Sequence, residues 1–122
     1  MKKILIVDDS ATIRDQIKGA FTGKADYSII EAENGVDALA KLEANQDIKL
    51  VISDVNMPEM DGMTLIKHIA ANAVFKTIPI VMLTTEVSKD LKEAAKTCGV
   101  RAWMVKPFAP DKLVLAADQL TK

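Results

Sequence analysis

Apolar residues in this chain gather into four short runs, and each run stops at a polar side chain. Ile4-Leu5-Ile6-Val7 runs into Asp8-Asp9, Leu50-Val51-Ile52-Ser53 into Asp54, Ile80-Val81-Met82-Leu83 into Thr84, and Ala102-Trp103-Met104-Val105 into Lys106-Pro107. Short, β-rich runs without alternation predict parallel strands buried on both faces. A fifth stretch, near Tyr27–Ala32, carries intruding polar residues and predicts a strand nearer the sheet edge.

Helical spacing fills the gaps between the runs. Strand one, about 3–7, leads into a helix whose apolar face is Ile13, Ile17, Ala20 and Phe21. Gly23 and Asp26 bracket the turn that follows, and Asn34-Gly35 opens a helix carrying Val36, Leu39, Ala40 and Leu42. The loop Val55–Gly62 holds the turn formers Pro58 and Gly62, and Ile66, Ile69, Ala70 and Ala73 mark a third helix. Ser88 is the expected N-cap of a fourth helix running to about Thr97, with Gly99 at its stop. Pro110 lies in the first turn of a last helix with Leu113, Ala116, Ala117 and Leu120. Five alternating β/α units with right-handed crossovers predict a doubly wound parallel sheet with helices on both faces. Ligands of such open sheets bind outside the carboxyl ends of the strands. Asp8, Asp9, Asp54, Thr84 and Lys106 are therefore expected to meet at one edge.

Composition narrows the class. At 122 residues, 49% hydrophobic and 27% charged, residues 1–122 form one ordinary globular domain. The single cysteine, Cys98, excludes an internal disulfide, fits a reducing cytosol and is expected as a small buried side chain. Only four apolar residues follow Met1-Lys2-Lys3 before Asp8, too few for a signal peptide or membrane span, so the expected location is the cytoplasm. Residues 1–86 hold 9 basic and 13 acidic side chains; residues 87–122 hold 7 and 4. The excess of acid thus lies with the proposed site and the excess of base at the C-terminal end. No basic cluster interleaved with aromatics appears, which argues against nucleic-acid binding.

A dinucleotide-binding sheet needs a glycine-rich turn after strand one. Here the turn is Asp8-Asp9-Ser10-Ala11-Thr12, which has no glycine and repels phosphate. Three carboxylates at one edge disfavour each other's ionised forms, and a hard divalent cation such as Mg²⁺ relieves that repulsion through oxygen ligands. A carboxylate beside Mg²⁺, a lysine and a hydroxyl suits nucleophilic attack on phosphorus, giving an acyl phosphate. Taken singly, Asp8 or Asp9 is more often a helix cap, Thr84 a turn hydroxyl and Lys106 a solvated lysine. Their joint placement at four strand ends is what favours chemistry.

Asp8-Asp9-Ser10, Asp54, Met57-Pro58-Glu59-Met60-Asp61-Gly62, Thr84 and Lys106-Pro107-Phe108, with spacings of 45, 30 and 22 residues from Asp9 to Asp54 to Thr84 to Lys106, carry a resemblance. Over its full length the chain resembles a receiver domain of the two-component response regulators, and Arg14, Asn56 and Glu86 make it similar to the single-domain chemotaxis type. The resemblance implies a flavodoxin-like sheet in the order 2-1-3-4-5 with five helices. It implies that Asp54 accepts phosphate from a histidine kinase. It implies that Asp9, Asp54 and the backbone carbonyl of Asn56 ligate Mg²⁺, with Asp8 acting mainly through water. Thr84 and Lys106 would contact the phosphoryl oxygens, and the Lys106–Pro107 peptide would be cis. Trp103 occupies the switch position, where receivers usually carry Tyr, Phe or His. Its indole either turns inward on activation or serves as a fixed part of a docking face.

Only 16 residues follow Lys106, room for one helix, so the expectation is a monomer without an output domain that acts by docking. Beside the kinase, the resemblance to the chemotaxis type implies a flagellar motor switch protein or another docking protein, together with a phosphatase, as partners. Lys89, Lys92 and Lys96, with Lys112 nearby, form a basic helix face that suits an acidic partner, although such faces are commonly just solvated. A phosphorelay shuttle passing phosphate to a histidine protein uses the same residues. A haloacid-dehalogenase-type phosphatase places an aspartate two residues after its nucleophile; here that residue is Asn56. A flavin-binding domain lacks its uncharged phosphate loop. The lone His68 is expected as an exposed bystander on the third helix.

Overall fold

The computed structural model describes residues 1–24 and 26–122, and in it strands and helices alternate throughout. The elements are β1 (Lys2–Val7), α1 (Ala11–Ala20), β2 (Tyr27–Ala32), α2 (Gly35–Ala44), β3 (Ile48–Ser53), α3 (Gly62–Ala71), β4 (Ile80–Thr84), α4 (Lys89–Lys96), β5 (Val100–Val105) and α5 (Pro110–Leu120). All neighbouring strands pair in parallel, in the order β2-β1-β3-β4-β5. This is the flavodoxin-like topology expected of the chain.

Side-chain alternation explains why the central runs are apolar throughout. Leu5, Val7, Val51, Ile80 and Met82 point into one core, filled from the helices by Ala38, Leu42, Leu65, Ile66, Ile69 and Ala95. Ile4, Ile6, Leu50, Ile52, Val81 and Leu83 point into the other, filled by Ile17, Phe21, Leu113 and Ala117. Helices α2, α3 and α4 thus cover one face, and α1 and α5 the other. Each fully buried Ile or Leu contributes about 1.5–3 kcal/mol of transfer free energy, so a strand with two apolar faces is anchored twice. No helix among the described residues is long and apolar enough to cross a membrane.

Several expectations are corrected. Strand β3 ends at Ser53 and β5 at Val105, so Asp54 and Lys106 lie just beyond the ladder rather than at its last rung. Strand β5 is an edge strand, not one buried on both faces: its residues from Arg101 to Val105 are half-buried or exposed. The buried face of α2 is Gly35, Ala38 and Leu42, with Val36 and Ala40 exposed. Gly35 is covered by Met60, so closely that a Cβ there would lie 2.5 Å from the Met60 side chain. Helix α3 stops before Ala73 because Asn72 is extended and its side chain accepts from the N–H groups of Val74 and Phe75. Cys98 is half-buried against the core rather than buried within it.

Candidate functional site

Asp8 is the first residue past β1 and is only 2% exposed. Its N–H donates to the Ala32 carbonyl at 3.1 Å, continuing the β1–β2 pairing by one residue. The cap of α1 is Ser10, not either aspartate: extended at φ −93°, it accepts from the Ile13 N–H at 3.3 Å through Oγ. Ser10 also donates its own N–H to Asp8 Oδ1 at 2.9 Å. With the cap supplied by serine, the exposed Asp9 carboxylate has no such duty.

Asp54 leaves β3 beside Asp8, its N–H donating to the Val7 carbonyl at 2.9 Å. Its Oδ1 accepts from the Val55 N–H at 2.7 Å, which turns Oδ2 toward the pocket. The buried Ser53 hydroxyl donates to the Asp54 carbonyl at 2.8 Å. The following loop folds back tightly, with Gly62 N–H on the Val55 carbonyl at 2.7 Å. A Cβ at position 62 would lie 2.0 Å from the Asp54 carbonyl oxygen, so only glycine permits this approach. Asp61 then caps α3 by accepting from the Thr64 N–H at 2.7 Å.

Lys106 completes the group from the opposite strand. Its N–H donates to the Thr84 carbonyl at 3.0 Å, and the Lys106–Pro107 peptide is cis, as expected. Its Nζ donates to Asp8 Oδ2 at 2.7 Å and lies 3.3 Å from Asp54 Oδ2. Carboxylate oxygens of Asp8, Asp9 and Asp54 come within 4.8 Å of one another. Burial holds the Asp8 carboxyl above the ordinary aspartate range, and the charge of Asp54 adds to this. The hydrogen bonds from Lys106 and the Ser10 N–H oppose that rise. One ammonium against three carboxylates leaves an excess of negative charge on hard oxygen donors, an arrangement that fits Mg²⁺.

Thr84 is fully buried, and its Oγ1 accepts from the Glu86 N–H at 3.2 Å. The half-buried Trp103 donates its indole N–H to the Glu86 carbonyl at 2.9 Å. The exposed Asn56 reaches the same residue, its side-chain amide donating to Glu86 Oε1 at 3.0 Å. Thr84, Trp103 and Asn56 therefore converge on Glu86. Beside Trp103, a surface groove of about 430 Å³ is lined by Lys89, Lys92, Lys96 and Arg101, with Glu93 as its one acid. His68 is exposed on α3, away from the cluster.

The structure brings together Asp8, Asp9, Asp54 and Lys106, with Thr84 joined to Lys106 through the backbone. Sequence reasoning gave no role to Ser10, Ser53 or Glu86. The serine after the paired aspartates is a readable cap signal. Nothing in the sequence distinguishes Ser53 from an ordinary polar neighbour of a strand, and Glu86 carries part of the resemblance without its contacts to Thr84 and Trp103 being readable.

Comparison with known proteins agrees with this fold. The family model for the response regulator receiver domain matches residues 4–118. The chain is 46% identical over 111 residues to the chemotaxis protein CheY1 of Helicobacter pylori, covering 91% of this chain and 90% of that protein. The crystallised chemotaxis protein CheY4 of Vibrio cholerae superposes with a TM-score of 0.88 at 38% identity, covering 98% of both chains. A CheX–CheY complex with BeF₃ and Mg²⁺ from Borrelia burgdorferi superposes with a TM-score of 0.89 at 27% identity, covering 98% of this chain and 88% of the other.

Proposed function

The chain belongs to the response regulator receiver family, as a receiver of the CheY type, and on that premise we propose that it signals in chemotaxis by accepting a phosphoryl group on Asp54 from a histidine kinase. The observation that carries this reading is the convergence of Asp54 with Asp8, Asp9 and Lys106 at one sheet edge.

Asp54 is the nucleophile. With Oδ1 occupied by the Val55 N–H, Oδ2 attacks phosphorus as the phosphorus–nitrogen bond of the donor phosphohistidine breaks. Lys106 offsets charge on the transferred oxygens, and the Thr84 hydroxyl donates to one of them. Asp9, Asp54 and the Asn56 carbonyl would hold Mg²⁺, with Asp8 acting through water. When bound, the ion supplies further neutralisation of the phosphoryl charge. Asn56 carries an amide where an aspartyl phosphatase needs an acid, which supports signalling over turnover of exogenous substrates.

The phosphorylated form of this cytoplasmic protein docks through the basic groove beside Trp103 onto an acidic partner, either a motor switch protein or a phosphatase. The Borrelia complex supports a docking partner of the CheX kind. Chemotaxis relatives in two organisms favour this role over a phosphorelay shuttle. Acetyl phosphate with Mg²⁺ should add one phosphoryl group by mass spectrometry to the wild-type chain and none to Asp54→Asn. Labelling of the variant at another residue would overturn the assignment.

A further inference from the structure

The guanidinium of Arg14 joins the acidic loop to the neighbouring strand. Its Nη1 donates to the Asp8 carbonyl oxygen at 2.5 Å, and its Nε donates to Glu31 Oε1 at 3.0 Å. Glu31 is itself anchored: Oε2 accepts from Lys18 at 3.0 Å, and its backbone carbonyl accepts from Lys41 at 3.1 Å. The hydrogen bond from Lys18, and secondarily that from Arg14, holds the Glu31 carboxyl below its ordinary range against the opposing effect of burial. The Arg14 side chain is only 16% exposed.

Asp8 is therefore held at each of its polar groups. Ala32 takes its N–H, Arg14 its carbonyl, the Ser10 N–H its Oδ1 and Lys106 its Oδ2. Asp9 comes next in the chain with its carboxylate exposed, so its placement depends on the backbone on either side. On one side is the Asp8 peptide clamped by Arg14; on the other is Ser10, capping α1.

We propose that Arg14 is a positioning residue of the acidic site: by tying the Asp8 carbonyl to Glu31 it fixes how Asp9 is presented beside Asp8 and Asp54, and so sets the affinity for Mg²⁺. This rests on the reading that the three aspartates hold that ion. Two effects of Arg14 on a cation have opposite signs. As a positive charge it repels the ion, so its removal by charge alone tightens binding. As a clamp it orders the ligands, so its removal weakens binding.

The test is a Mg²⁺ titration of the full chain followed by NMR amide shifts, on wild type, Arg14→Ala, Arg14→Lys and Glu31→Ala. Arg14→Ala should bind about tenfold more weakly, as for other residues that orient metal ligands. Arg14→Lys should be at least as weak, because it keeps the repelling charge while its ammonium lacks the rigid fork that spans two acceptors. Combining Arg14→Ala with Glu31→Ala should cost no more than either alone, since both break one link. Equal or tighter binding by Arg14→Ala, or wild-type affinity in Arg14→Lys, would overturn the proposal. Should Arg14→Ala fail to fold, Arg14→Lys and Glu31→Ala decide. Absence of saturable Mg²⁺ shifts in wild type would instead remove the metal reading, and this inference with it.

Discussion

The Lys106 ammonium lies 2.7 Å from Asp8 Oδ2 and 3.3 Å from Asp54 Oδ2, so its nearer partner is not the proposed phosphoacceptor. All three side chains are nearly buried, at 12%, 2% and 11% exposure, and water screens this contact poorly. Lys106 thus stabilises the acids at rest, and a phosphoryl group on Asp54 would compete for it.

Lys106→Met should accordingly destabilise the metal-free protein. Removing one partner of a buried pair leaves charge uncompensated, at a cost of about 3 kcal/mol. Mg²⁺ should restore part of the loss, because an ion that binds only the folded state stabilises it by mass action. Urea unfolding with and without Mg²⁺ measures both effects. Unchanged stability in the metal-free variant would show that the pair contributes nothing.

Ser10 and Asp9 should separate cap from ligand. Ser10→Ala loses the bond to the Ile13 N–H and should cost about 1 kcal/mol with or without metal. Asp9→Ala relieves like-charge repulsion and should be no less stable than wild type without metal. It should, however, lose the rise in Tm that Mg²⁺ gives wild type. A clearly less stable metal-free Asp9→Ala would assign Asp9 a structural role.

Asp8 should leave a pH signature. Its folded pKa is raised, chiefly by burial, so the folded state holds that proton more tightly than the unfolded chain does. Its contribution is therefore most favourable below 3.8, the ordinary aspartate value, and is lost as pH rises through the folded value. Glu31 is shifted the other way, so the total profile mixes the two. The difference between wild type and Asp8→Asn isolates Asp8. In metal-free buffer, wild type should lose stability relative to the variant as pH climbs from 3.8 toward neutrality. A difference that is flat with pH would refute a burial-driven shift.

These predictions rest on features of unequal legibility. The central strands were readable because burial on both faces demands apolar residues at every position, as in Ile4–Val7 and Ile80–Leu83. Strand β5 looks equally apolar, yet Val105 is 43% exposed. Apolar content marks a strand without telling which neighbours it has. The buried face of α2 is hard to read because two of its three residues, Gly35 and Ala38, carry little or no side chain. Asp54 and Lys106 were identified by their position after strands, which the topology converts into proximity. The roles of Arg14 and Glu86 were not, since their partners come from other elements.

The last prediction concerns Trp103, the only tryptophan and hence an unambiguous reporter. Its N–H is bonded to the Glu86 carbonyl, while the Thr84 hydroxyl accepts from the Glu86 N–H. One residue thus links site to indole. The half-buried ring packs against the core on the α2–α4 side, and its N–H bond to the Glu86 carbonyl holds it in that place. If Thr84 turns toward a phosphoryl oxygen, Glu86 loses that acceptor and its carbonyl shifts under the indole N–H. A ligand moves such an equilibrium only through contacts that differ between the two states, and the Thr84–phosphoryl bond is that contact. Beryllofluoride with Mg²⁺ should therefore change the intensity of Trp103 emission while shifting its wavelength only slightly. Thr84→Ala should show neither change, although it still binds Mg²⁺. A large blue shift in wild type would mean that the ring travels inward on activation. The full wild-type response in Thr84→Ala would show that the signal reaches Trp103 by a route other than Thr84 and Glu86.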